Sequence, residues 1–445
     1  MTTASSQHPT ADRDQHDSPR LFAHTRVVES SADLLELLPR GDDALAWVQN
    51  GDGLVGWGAA ARFAPSGAGR FAQAAEWWRQ FAADAEVDDE VGLPGTGPVA
   101  FVSMAFADKP GHSTLVVPEI VVGRRGDVTW VTEISAGRGQ RGAGTAVAMQ
   151  PIRTPSTVRY AEGELSVPGY RAAVAEAVRR LRAGDLHKVV LAHDLVATTP
   201  AEEGPLDARG LLHALAGRNP NCWVFAVDGL VGATPELLLR RRGSEVTARV
   251  LAGTVWPRDG IDDDALAASL LASAKNQEEH RYAVESVADA IRPFCAALDV
   301  PGEATILRLR NVLHLATDIT GTLTGDPSLL ELTGATHPPA AVGGTPRAAA
   351  VALITELERM DRGRYAGPVG WIDRAGDGEF GIALRCAQVK GNTARLYAGG
   401  GIMPDSDPDS EVLEANAKMI PIRDALEQLT DPDEKPHDDF CDVTA

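Results

Sequence analysis

From Ser166 onward the chain alternates between two apolar rhythms. Tyr170, Val174, Val178 and Leu181 recur at helical spacing and stop at Gly184, which predicts a helix closed by a glycine. HKVVLAH (187–193) and CWVFAVD (222–228) are short, apolar and β-branched, and ELLLRRRGSEVTARVLAGT (236–254) reads as strand, turn, strand. Glu278–Cys295 predicts a helix with Val284, Val287 and Ile291 on its apolar face. Residues 304–323 predict an extended segment, Thr345–Met360 a helix, and 367–402 a three-strand meander with DRAGDGE and KGNT as turns. Ser410–Leu429 predicts a last helix, bent at Pro421. Upstream, VAFVSMAF (99–106) and STLVVPEIVVG (113–123) predict strands and 70–85 a helix. Strands joined by hairpins and interrupted by isolated helices predict an α+β fold with large antiparallel sheets, not a βαβ wind.

At 445 residues the length prior is about three domains. Yet no linker rich in Gly/Ser or Pro divides the chain between a polar leader, 1–20, expected to be disordered, and an acidic tail, 431–445. The charge changes the picture more. With 42 basic and 62 acidic residues the net charge is −20, which argues against nucleic acid or anionic membrane as a partner. An anionic ligand would require the few cations to be concentrated locally, or a metal ion to be recruited. Cysteines at 222, 295, 386 and 441 form no CxxC pair, so a reducing cytoplasm is expected. No signal-peptide core and no apolar run near the ~20 residues of a membrane span is present.

Candidate chemistry concentrates in five places. Glu411, Glu414 and Lys418 share one helix face; they form either a solvated surface with a Glu–Lys pair or an oxygen site for a hard divalent cation. Glu279 opens an amphipathic helix and could offer a second carboxylate to the same ion. Lys188, opening an apolar strand, either reaches solvent or becomes a usable base if its ammonium is desolvated. Glu236 is either a turn acid or a buried acid able to donate a proton. Arg385, placed by the pattern inside the apolar strand FGIALRCAQV, needs an anionic partner such as a bound carboxylate. His314 reads as a satisfied core histidine. AGGGI (398–402) lacks phosphate-loop and dinucleotide-loop spacing and marks close backbone approach instead.

Jointly these places carry a pattern. KVVLAH, GATPELLL, LAGT, EEH, HLAT, DRGRYAGPVGW, FGIALR, AGGGI and SDPDSEVLEANAKM occur in the order and at about the intervals of the chorismate-utilising enzymes, which include isochorismate, salicylate, anthranilate and aminodeoxychorismate synthases. The resemblance covers about 166–428, and VPEIVVGRRGDVTWVTEI upstream is similar to the isochorismate synthase N-terminal half. It implies one large α+β catalytic domain over 21–430, like anthranilate synthase component I, with a variable part (21–165) and a motif core (166–428). That overrides the length prior. It also implies chorismate as substrate and Mg²⁺ held by Glu279 and Glu414, with Glu411 close by. Arg385, Tyr365 and the backbone of Gly399 to Gly401 match substrate-carboxylate contacts. Lys418, Gly253, Thr254 and His314 match the same cavity, Lys188 the base that activates water, and Glu236 the acid that protonates the leaving hydroxyl.

Three positions choose within the family. Lys188 stands where anthranilate synthases generally have glutamine, so water rather than ammonia is expected, and no glutamine amidotransferase subunit. Ala252 replaces the nucleophilic lysine of the aminodeoxychorismate synthase PIKGT motif, and Ala341 stands where salicylate synthases typically have threonine. The resemblance therefore implies isochorismate formation for siderophore, salicylate or menaquinone synthesis, with a monomer as the default. Salicylate synthesis by added pyruvate elimination is the alternative; a non-catalytic chorismate-binding regulator would not need the acid and base.

Overall fold

Two extended sheets dominate the computed structural model, which describes residues 21–40, 43–136, 151–256, 262–309 and 312–428. Among these residues one sheet has thirteen strands and the other ten. Every pairing is antiparallel except Leu21–Val27 with Glu86–Asp89. This is the α+β architecture that the hairpin pattern predicted. The inner faces of the sheets share one core, in which Trp47 and Phe225 of the larger meet Phe101, Trp371 and Phe380 of the smaller. Strands covered on both faces, such as Trp223–Val227 and Pro368–Asp373, are buried along their whole length. Hence the apolar residues run continuously there instead of alternating.

The described residues form eight α-helices: α1 (Arg70–Asp84), α2 (Val167–Ala183), α3 (Ala208–Arg218), α4 (Asp263–Ala272), α5 (Ala274–Ile291), α6 (Leu329–Thr336), α7 (Arg347–Glu358) and α8 (Pro408–Gln428). None is long and apolar enough to cross a membrane. The start and stop of α2 follow from its sequence. The Ser166 side chain accepts from the Gly169 N–H, and Gly184 closes the helix at φ +84°, a left-handed conformation that glycine takes without steric cost. Helices α3 and α8 cover the outer face of the larger sheet, where Leu211, Leu215, Ile422 and Leu426 pack on Val48, Val224 and Leu396. Helix α5 packs on strand Glu245–Val255 of the smaller sheet.

Several expectations are corrected. STLVVPEIVVG is two strands in different sheets, Thr114–Val117 and Ile120–Arg125, because Pro118 has no N–H to continue a ladder. Residues 304–323 are a hairpin, Thr305–Leu309 against Val312–Leu323. The meander has four strands, not three, and they divide between the sheets after Ile382. Arg385 is therefore not inside a strand: it lies where the chain crosses from one sheet to the other, at φ +46°. Helix α8 begins two residues before the expected Ser410, at Pro408, and includes Pro421. The expected leader and tail lie outside the described residues.

Burial predicts unequal tolerance along α8. Ile422→Ala, at a fully buried site, should cost about 2–5 kcal/mol in urea unfolding. Leu413→Ser, at a site 68% exposed, should stay within about 0.5 kcal/mol.

Candidate active site

The central strand of the site is Thr393–Ile402, paired on one edge with Lys188–Thr198 and on the other with Cys386–Lys390. Its end is Gly399–Gly401, where a side chain would meet main chain at Gly399 and the ends of charged side chains at Gly400 and Gly401. A Cβ on Gly399 would stand 2.0 Å from the Leu191 carbonyl oxygen. One on Gly400 would stand 2.7 Å from Glu411 Oε2 and 3.6 Å from Glu414 Oε1, and one on Gly401 2.2 Å from Glu279 Oε1 and 3.0 Å from Lys188 Cε. The glycine run thus brings bare backbone between the carboxylates of α5 and those of α8, which is the close approach the sequence predicted.

A cleft of about 620 Å³, counting its mouth, opens at this strand end. Of the fourteen residues singled out in the sequence, twelve line it: Glu236, Gly253, Thr254, Glu279, His314, Ala341, Tyr365, Arg385, Gly399, Gly401, Glu414 and Lys418. The other two stand directly behind. Lys188 is fully buried, its Nζ 3.1 Å from Glu279 Oε1, and Glu411 is buried beside Glu414. Val190, Leu251, Val342 and Leu384 supply apolar wall; sequence reasoning passed over them because an apolar residue beside a motif looks like ordinary core.

Each charged group is placed by a local device. Gly253, at φ +77°, sits where the register of strand Glu245–Val255 shifts against Val312–Leu323, a bulge between Ala252 and Thr254. Thr254 Oγ1 is 3.0 Å from His314 Nδ1, and burial, with the charges of Arg385 and Lys418, pushes that histidine down to about 3, so its ring is neutral. Lys418 donates to Glu414 Oε1 at 2.6 Å and to the Gly399 carbonyl at 3.0 Å. Arg385 enters no ion pair among the described residues, and its backbone is held in a left-handed conformation, strain that recurs at ligand sites. His280, which the sequence reading missed, donates from Nδ1 to the Ala252 carbonyl at 3.1 Å and lies 2.8 Å from Thr317 Oγ1 through Nε2. Burial pushes it down to about 4, so the neutral ring donates on one side and accepts on the other. It fixes the first turns of α5, and so Glu279, against the strand bearing Gly253. Its place beside Glu279 in EEH was the available signal.

Two carboxyl groups stand well above the ordinary glutamate range. Burial raises Glu236 to about 8 against the pull of the Leu251 backbone N–H, Lys188, Arg385 and Lys418. Burial, then the neighbouring Glu414 charge, raises Glu411 to about 7, and its Oε2 is buried with no hydrogen-bond partner. Among the described residues no three His, Cys, Asp or Glu side chains converge into a closed cage. Each acid is instead drawn to its own lysine: Glu279 to Lys188, Glu414 to Lys418, and Glu411 to Lys275, whose Nζ lies 3.9 Å from Oε1.

The chain is similar to known proteins over most of its length. The profile of the family described as "Chorismate binding enzyme" matches residues 10–427. Isochorismate synthase DhbC of Bacillus subtilis is 40% identical over 265 residues, 56% of this chain and 65% of that protein, so the aligned stretch spans just under two thirds of that relative. The salicylate biosynthesis isochorismate synthase of Pseudomonas aeruginosa is 33% identical over 451 residues, 94% of this chain and 93% of that protein. The solved structure of the menaquinone-specific isochorismate synthase MenF from Escherichia coli superposes with a TM-score of 0.75 at 28% identity, covering 92% of this chain and 95% of that one.

A proton held by Glu236 at neutral pH is directly observable. Folding binds that proton between the ordinary glutamate value near ~4.3 and about 8, so its contribution to stability drains away as pH rises through this window. A carboxylic-acid C=O infrared band should persist at pH 7, disappear in Glu236→Gln and titrate near pH 8. A band already lost at pH 5.5 would contradict the burial argument.

Proposed function

We propose a reaction for this chain, which belongs to the chorismate-binding enzyme family: the reversible, Mg²⁺-dependent conversion of chorismate to isochorismate, in which water attacks C2 as the C4 hydroxyl leaves. The observation that carries it is Glu236, an acid kept protonated near neutral pH by burial, which lines the cleft behind which the Lys188 side chain is buried. Chorismate is a dicarboxylate. Arg385, free of any described ion pair, offers a guanidinium fork to one carboxylate, and the Gly399–Gly401 backbone and Tyr365 complete its cradle. Glu236 donates its proton to the departing C4 hydroxyl. Lys188, in its unprotonated form, accepts the proton of the attacking water. Neutral His314, with Thr254, adds polar wall without adding charge.

The residues fit a magnesium ion. The donors are carboxylate oxygens only, and the orphaned Glu411 Oε2 sits with Glu414 Oε1 beside the bare backbone of Gly400. Glu279, Glu411 and Glu414 would hold it. Once bound it would neutralise the ring carboxylate and hold it in place, a role Mg²⁺ fills with few protein ligands plus ligand oxygens. Lys188 in place of glutamine supports water over ammonia and activity without an amidotransferase subunit; Ala341 in place of a hydroxyl-bearing side chain supports stopping at isochorismate. The catalytic domain spans 21–430, between a leader and an acidic tail. A cytoplasmic monomer completes the reading; the unpaired Cys222, Cys295 and Cys386 suit a reducing compartment.

Purified protein given chorismate and Mg²⁺ should release isochorismate without pyruvate. Salicylate with stoichiometric pyruvate would make it a salicylate synthase, and binding without turnover a regulator. Glu414→Gln should abolish turnover while leaving the melting temperature unchanged; near wild-type activity at low Mg²⁺ would refute the metal assignment. Lys188→Ala and Glu236→Gln should each lower the rate by roughly 10²–10⁴-fold. Because Glu236 acts protonated, activity should fall as pH rises past about 8, and Glu236→Gln should lose that limb alone.

A further inference from the structure

Glu358 and Arg362 flank the start of the DRGRYAGPVGW motif, and the reaction above uses neither. Their side chains are 1% and 2% exposed and paired through two contacts, Arg362 Nη2 to Glu358 Oε1 at 2.5 Å and Nε to Oε2 at 2.9 Å. A buried ion pair is seldom more stabilising than apolar residues of the same volume, so stability alone does not account for it. The backbone it touches does.

Strand Lys188–Thr198 is paired along one edge with Thr393–Ile402 from Val189 to Thr198. Its other edge has two short partners: Gly344–Thr345 opposite Lys188 and Val189, and Arg159–Glu162 opposite Leu195 to Thr198. Between them, over residues 190–194, no described strand covers the edge. The Val190 N–H still finds the Gly343 carbonyl at 2.8 Å, and the Asp194 carbonyl finds the Gly163 N–H at 3.2 Å. Among the groups left over are the Val190 carbonyl and the Ala192 N–H, which lie buried and would be costly unpaired. Arg362 Nη2 donates to the Val190 carbonyl at 2.8 Å, and Glu358 Oε1 accepts from the Ala192 N–H at 2.8 Å. The same guanidinium donates through Nη1 to the Val342 carbonyl at 3.0 Å and lies 4.3 Å from the centre of the Phe106 ring.

We propose that the Glu358–Arg362 pair stands in for the missing strand segment and positions the base of the reaction. It joins the strand that carries Lys188 and the cleft-lining Val190 to the loop that carries the cleft-lining Ala341 and Val342. The inference rests on the reaction proposed above for its catalytic meaning. Both are positioning residues: neither lines the cleft. Arginine is required because one planar fork must reach a carboxylate and two carbonyls at once, which a lysine ammonium on a flexible stem cannot do.

Three variants test it: Arg362→Lys, Glu358→Leu, and the apolar double variant Glu358→Leu with Arg362→Met. Exchange of the Ala192 amide, followed by hydrogen–deuterium exchange at temperatures where global protection is intact, should accelerate at least tenfold in both Glu358 variants. In Arg362→Lys, kcat for chorismate should fall about 10–100-fold, the scale of a small misplacement of a catalytic group, with KM within about threefold. The double variant should regain the wild-type melting temperature but not kcat. Unchanged Ala192 exchange in Glu358→Leu, or wild-type kcat in Arg362→Lys or the double variant, would overturn the proposal. Should the wild type itself fail to convert chorismate, it is the reaction that fails, and the Ala192 exchange still decides whether the pair mends the strand.

Discussion

The absence of side chains at Gly399–Gly401 is the constraint on which the rest of the site depends. Because these residues present only backbone, α5 and α8 can close on one strand end with their carboxylates a few ångströms from it. Any side chain would have to displace a neighbouring main chain or a charged group: Cβ atoms built there meet the Leu191 carbonyl, Glu411 and Glu279 at 2.0, 2.7 and 2.2 Å. The sheets on either side serve this approach. The larger supplies the glycine strand and the Lys188 strand, the smaller supplies Gly253, Thr254 and His314, and the chain crosses from one to the other at Arg385.

That closure sets the electrostatics. A chain of net charge −20 gathers Arg385 and Lys418 at one cleft, which answers how so acidic a protein can hold a dicarboxylate. The same crowding brings each of Glu279, Glu411 and Glu414 close to a lysine. Water exclusion then separates the roles of chemically identical groups. Glu236 is buried away from any described ion-pair partner and keeps its proton, whereas Glu414 accepts a hydrogen bond from Lys418.

Much of this was legible in the sequence because the residues are chemically unusual where they stand: a lysine opening an apolar strand, three glycines in a row, carboxylates three residues apart on a helix. None was decisive alone; the order of the motifs was. What remained hidden depends on contacts distant in sequence. Nothing local distinguishes the Arg385 crossover from a strand, since FGIALRCAQV is apolar on both sides and only the opposing sheets reveal the break. His280 reads as one more polar residue in a charged run until its ring is seen between Ala252 and Thr317. In the N-terminal third, short strands such as Leu45–Gln49 and Ala61–Phe63 carry too few residues to show a period, and Trp47 gains its meaning only from Glu379, 332 residues away, which accepts its indole N–H at 2.8 Å.

The central claim is that Lys188 delivers solvent water to C2 while Glu236 releases the C4 hydroxyl. Turnover of chorismate in H₂¹⁸O, with the isochorismate analysed by mass spectrometry before appreciable back-reaction, tests it most directly. One solvent oxygen should appear in the C2 hydroxyl of each product molecule. Isochorismate whose C2 hydroxyl retains the substrate's own oxygen would mean that the hydroxyl migrates within the molecule, and would contradict the account.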